Sequence, residues 1–151
     1  MKMQRVLDNI ESLIPVGESF ELSVTGYSML PLLGRAGDKI ILRRTAVSED
    51  IIGRIAMFRG PRNNIVIHRV LRIDNNIVTL KGDGNPYLEE RVERSEIIAV
   101  VECVLRGNKV IDCRSKSWRA KERIWLATPI IVRKYILALM RRWMNFRYKT
   151  K

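Results

Sequence analysis

The stretch Ile65-Val66-Ile67-His68-Arg69-Val70-Leu71-Arg72-Ile73-Asp74-Asn75-Asn76-Ile77-Val78-Thr79-Leu80-Lys81 reads as two apolar runs around a short polar break. β-Branched residues dominate both runs, and side chains of that shape favour extended backbone. Asparagine tolerates positive φ, so Asp74-Asn75-Asn76 marks a tight turn joining antiparallel strands at 64–73 and 77–81. Outward from this hairpin the same signals recur. Phe20-Glu21-Leu22-Ser23-Val24 alternates as a strand, Gly37-Asp38 is a turn before a strand at 39–43, and further strands are expected at 55–59, 97–105 and 109–113. At least six strands with short turns and no long helix between them predict an all-β core.

The hairpin also carries chemistry. His68 is the only histidine, and it follows Gly26-Tyr27-Ser28-Met29-Leu30-Pro31 by forty residues. A serine hydroxyl needs a proton acceptor to become a nucleophile near neutral pH, and imidazole has the matching pKa. A third segment, Leu80-Lys81-Gly82-Asp83-Gly84-Asn85, offers a carboxylate to orient that imidazole. With the turn centred near residue 75, His68 lies about seven residues before it and Asp83 about eight after, which are neighbouring positions across a ladder. The same aspartate is equally suited to capping its own turn.

These segments resemble the signal peptidase I superfamily, which includes the self-cleaving LexA-type repressors. Gly26-Tyr27-Ser28-Met29-Leu30-Pro31 with Gly37-Asp38-Lys39-Ile40-Ile41 is similar to the family's nucleophile segment, and His68-Arg69-Val70 with Lys81-Gly82-Asp83-Gly84-Asn85 resembles the later segments of its Ser-His, eukaryotic and archaeal type. The resemblance covers residues 21 to 105. It implies a coiled, mainly antiparallel β-sheet core with an exposed serine: Ser28 as nucleophile, His68 as general base, and Asp83 as the supporting aspartate. A second acidic position of the family falls near Glu89. Gly26 lets backbone and substrate approach closely beside the Ser28 N–H, the expected oxyanion donor. The family often places a hydroxyl at the position of Gly26, for which Thr25 or another backbone amide could substitute. Met29, Leu30, Leu32 and Leu33 form either the wall beside a substrate strand or core.

Composition bounds the alternatives. A chain of 151 residues, 46% hydrophobic and 29% charged, is long enough to bury a core. Cys103 and Cys113 match no metal spacing, and one histidine makes a zinc site improbable, so no metal and no cofactor is expected.

Charge is concentrated at one end. Residues 116 to 151 hold eleven Lys and Arg against Glu122 alone, so the tail carries +10 of the net +12. Its apolar runs are too short and too interrupted by cations to span a bilayer. On a helical wheel Ile136, Leu139, Met140, Trp143 and Phe146 share one side, and Lys134, Ala138, Arg141, Arg142 and Asn145 the other. This pattern fits a helix lying on an anionic membrane, with Trp125, Arg133, Lys134, Arg141, Arg142 and Trp143 in contact, or one packing its apolar stripe on the β core. At the other end, residues 3–14 have the spacing of a short amphipathic helix, without the long apolar run of a secretory signal or membrane anchor.

The sequence therefore predicts a mainly β protein: an N-terminal helix over 1–20, a catalytic core over 21–113 and a basic amphipathic helical tail over 114–151. The expected activity is serine endopeptidase, acting on a leader or precursor peptide at the cytoplasmic membrane, on a side left open. Two other readings stand beside it. One is a LexA-like self-cleaving regulator touching nucleic acid. About twenty residues before the core are few for a helix-turn-helix, and lysine is the base in that branch, so nucleic acid is the less favoured partner. The other is a catalytically silent binding module of the same fold.

Overall fold

The computed structural model describes residues 9–24, 26–85 and 87–149. The N-terminal helix appears as α1, Ile10–Leu13; positions 3–8 of the expected helix lie outside the described residues. Eight strands follow: β1 Ser19–Ser23, β2 Lys39–Arg44, β3 Ile55–Arg59, β4 Ile65–Asp74, β5 Ile77–Lys81, β6 Glu89–Glu93, β7 Ile97–Arg106 and β8 Lys109–Asp112. Two helices, α2 Lys116–Ala127 and α3 Ile130–Lys149, close the chain.

All strands belong to one antiparallel sheet, ordered β1-β2-β7-β3-β4-β5-β6, with β8 paired to β7. The β4–β5 turn is built as expected, with φ of 45° at Asn75 and 76° at Asn76. Two consecutive positive φ values match the twist of the flanking strands. Seven of the strands match stretches read from periodicity. β6 lies outside those stretches, because Glu89-Glu90-Arg91-Val92-Glu93 has a single apolar residue and gives no alternating signal.

The sheet is buried on both faces in its middle. Along β3, Ile55 and Met57 enter one cluster and Ala56 and Phe58 another, as the period of two demands. The second cluster, with Val70, Val78, Leu80, Val92 and Val100, is enclosed by β3–β7. The first gathers Ile40, Leu42 and Val104 with Leu30 and Leu33 of the β1–β2 loop and with Trp118, Trp125, Leu137 and Met144 of the two helices. Each fully buried Leu, Ile or Phe contributes about 1.5–3 kcal/mol, so α2 and α3 share a core with the sheet.

Ser115 caps α2, its hydroxyl accepting from the Trp118 N–H at 3.3 Å. The chain turns at Thr128-Pro129, where Arg133 Nε donates to the Thr128 carbonyl at 2.7 Å and Nη2 to that of Leu126. α3 does not pack on its expected apolar stripe. Leu137 and Met144 face the core with Met140 alongside, whereas Leu139, Trp143 and Phe146 are left 58–69% exposed. Among the described residues no helix is long and apolar enough to cross a membrane.

Candidate active site

Ser28 lies exposed in the β1–β2 loop, while its neighbours Met29, Leu30, Leu32 and Leu33 are buried beneath it as core. That settles the wall-or-core alternative for these four side chains and corrects the substrate-contact role expected of Met29, which is 3% exposed. Its Sδ instead accepts from the Asp83 N–H at 3.5 Å. The far end of the loop is tied down by Asp38, whose Oδ2 accepts from the N–H groups of Gly34 and Arg35 at 3.1 Å each. Arg106 ion-pairs with Asp38 at 2.8 Å and donates to the Leu32 carbonyl at 2.9 Å. Gly26 has φ +98°, a conformation that glycine adopts without strain, and space around it is open. Thr25 lies outside the described residues.

A second loop, after β5, is pressed against the serine loop. The Gly84 N–H donates to the Ser28 carbonyl at 2.7 Å. A Cβ on Gly82 would stand 2.5 Å from that carbonyl oxygen and 3.1 Å from His68 Nε2, and one on Gly84 would overlap the Tyr27 carbonyl oxygen. Both glycines are thus required by close backbone approach, a role that their place in Lys-Gly-Asp-Gly hinted at without a partner being visible. The His68 Nε2–Cδ2 edge and the Ser28 carbonyl oxygen thus border the same point beside Gly82.

The other ring nitrogen meets an unexpected carboxylate. His68 Nδ1 lies 3.2 Å from Glu90 Oε1, at ion-pair distance but off the line of an aligned hydrogen bond. The ring is 5% exposed and tilted against Phe58, with centroids 6.0 Å apart. Burial pushes the His68 pKa below its ordinary 6.5, outweighing the opposing pull of Glu90 and, more weakly, Asp83. Burial thereby favours the neutral form of the imidazole.

The expected direct support of His68 by Asp83 is replaced by another pairing. Asp83 takes the Arg69 guanidinium in a fork, 2.8 Å from Nε to Oδ1 and 2.7 Å from Nη2 to Oδ2, with both side chains 2% exposed. The reason is register. Arg69 faces Lys81 and Val70 faces Leu80, so His68 stands opposite Gly82, and Asp83 falls on the other face with Arg69. A displacement of one residue moves a side chain through the sheet. On the His68 face the row runs from Val70 through Leu80 to Glu90, which puts Glu90 diagonally across from the imidazole. Glu89 alternates away and pairs with Arg72 at 3.3 Å.

Arg69 also reaches Glu122 of α2 at 2.9 Å and donates to the Gly53 carbonyl at 2.9 Å. Burial works against its charge, but Asp83 and Glu122 outweigh that and raise its pKa. Glu122 is pushed up by burial, against the pull of Arg69.

The helices hold the two loops from behind. Trp125 Nε1 donates to the Asp83 carbonyl at 3.0 Å, Arg141 Nη2 to the Gly84 carbonyl at 3.1 Å, and the Tyr27 hydroxyl to Asn145 Oδ1 at 3.0 Å. At 5% exposure, with its N–H occupied, Trp125 cannot be the membrane contact that the sequence suggested. Arg133 serves the α2–α3 corner, Lys134 lies 5.2 Å from the centre of the Tyr87 ring, and Trp143 is exposed with Arg147 over its ring. Among the described residues no group of His, Cys, Asp and Glu converges as metal ligands would. No protein-family model matches the chain, and no curated protein matches it.

Proposed function

We propose that the chain is a serine endopeptidase of the signal-peptidase type, with the coiled β core of that superfamily. Ser28 attacks an extended peptide, and His68 Nε2 takes the hydroxyl proton as the Cγ-side Nδ1 draws support from Glu90. The tetrahedral oxyanion is met by the backbone N–H of Ser28. His68 then returns the proton to the leaving amine, and a water hydrolyses the acyl-enzyme by the same base. Arg69 and Asp83 hold the neighbouring loop in place. The observation that supports this reading is the placement of a buried imidazole: its Nε2 edge and the Ser28 carbonyl oxygen both border Gly82, and Nδ1 meets a carboxylate.

The resemblance implies cleavage after small side chains. The test is digestion of a mixed peptide library, with products identified by mass spectrometry. The wild-type chain is expected to release fragments ending in small residues, and Ser28→Ala and His68→Ala to release none. Cleavage that survives Ser28→Ala overturns the assignment. A wild-type chain that cleaves nothing, with or without anionic vesicles, leaves a peptide-binding module of the same shape as the better description.

A further inference from the structure

The outer face of α3 is an exposed apolar surface. Of eighteen large hydrophobic residues exposed among the described residues, ten lie between Ile124 and Phe146. Five of them, Ile131, Tyr135, Leu139, Trp143 and Phe146, are 58–71% exposed and recur at helical spacing along one side of α3. They form a row about 22 Å long at 1.5 Å per residue. Helix periodicity sets Arg142 within this row and Lys134 and Arg147 at its margins. α3 contains no acidic residue, and the one acid of α2, Glu122, is turned inward to Arg69.

We propose that this face docks on an anionic phospholipid surface, with α3 lying in the plane of the headgroups. A convex row of aliphatic and aromatic side chains fits a deformable plane better than a second helix. Tyr and Trp suit the boundary between headgroup and chain, and the cations meet lipid phosphates. A second copy of the chain would bring the same cations against one another. The docking also has a consequence for Ser28. The flank of α3 that carries Lys134 holds the loops of the site through Arg141 on Gly84 and Asn145 on Tyr27, so a docked helix presents the serine to peptides at the membrane surface. The docking itself does not require Ser28 to be a nucleophile.

The experiment is co-sedimentation of the full chain with vesicles of phosphatidylglycerol and phosphatidylcholine, against phosphatidylcholine alone, with tryptophan emission read in parallel. Trp118 and Trp125 are buried, so a blue shift on adding vesicles reports Trp143. The expected result is pelleting with the anionic vesicles only, weakened by salt and accompanied by a blue shift. Tyr135→Ser with Leu139→Ser should weaken it at least about tenfold. Both positions are exposed, so the double variant should keep the wild-type melting temperature. The proposal is overturned by a wild-type chain that stays in the supernatant, or by a double variant that pellets as wild type does. It is equally overturned by a wild-type dimer, seen by sedimentation velocity without vesicles, that the double variant dissolves, since the face would then belong to a second copy.

Discussion

His68 and Arg69 are adjacent on β4 yet belong to different chemical worlds. His68 points to the side of Phe58 and Val70, meets one half-buried carboxylate at Glu90, and borders Gly82 together with the Ser28 carbonyl oxygen. Arg69 points to the helix side, where Asp83 and Glu122 enclose it. The first pairing is loose and leaves a base neutral; the second is forked, charged and buried. Strand alternation separates a neutral imidazole on one face from a charged anchor on the other.

The contrast can be broken from the anchor side first, with the largest effect. Arg69→Met leaves the Asp83 carboxylate buried, and that of Glu122 half-buried, without their cation, and loss of one partner of such a group costs about 3–5 kcal/mol. Chemical denaturation should show this as a large drop in midpoint. A change under about 1 kcal/mol would mean that the ion group does not hold the helices to the sheet.

Next comes the seam between the two loops. Gly82→Ala places a methyl group 2.5 Å from the Ser28 carbonyl oxygen and 3.1 Å from His68 Nε2. Turnover should fall roughly 100-fold as the nucleophile and base are pushed apart. Turnover close to wild type would show that the loops part without consequence.

The carboxylate beside the imidazole ranks third. Glu90→Gln should lower turnover about tenfold, equal to about 1.4 kcal/mol, with little change in unfolding midpoint. The pH profile sharpens the point. His68 acts as a base only when neutral, and its pKa is held below 6.5, so the acid limb of the wild-type rate lies below that value. Glu90 raises the histidine pKa, so its loss moves the limb to still lower pH. A limb that moves upward instead would exclude Glu90 as the orienting group. Asp83→Asn should shift the limb less and the stability more.

The smallest effect is expected at the helix that backs the site. Arg141→Ala removes one hydrogen bond to the Gly84 carbonyl, and such bonds are worth about 0.5–1.5 kcal/mol, so turnover should drop only a few-fold. An effect equal to that of Gly82→Ala would mean that α3 sets the loop position by itself.

Much of this architecture was legible because it rests on local rules. The Asn75-Asn76 turn, the alternation of β1 and the apolar runs of β3, β4 and β7 follow from φ preference and side-chain shape. The partner of His68 was not legible. Counting from the turn put Asp83 opposite it, but pairing of Arg69 with Lys81 and a bulge between Val70 and Arg72 set the register one residue away. Glu90 lay hidden in a strand whose sequence is almost wholly polar, since an edge strand needs few apolar residues to be held by its backbone.

The tail shows the same limit. Its charge, its helices and its aromatic content can be read directly from the residues, because composition and periodicity are properties of a single segment. Which stripe of α3 is buried depends on what the sheet and loops present to it, and they took Leu137 and Met144 instead of the aromatic row. The sequence alone determined a twisted antiparallel β protein with a serine, a histidine and a cationic helical end. Only the tertiary structure decided which carboxylate faces the histidine and which face of the last helix looks outward, because both depend on register and packing between segments far apart in the chain.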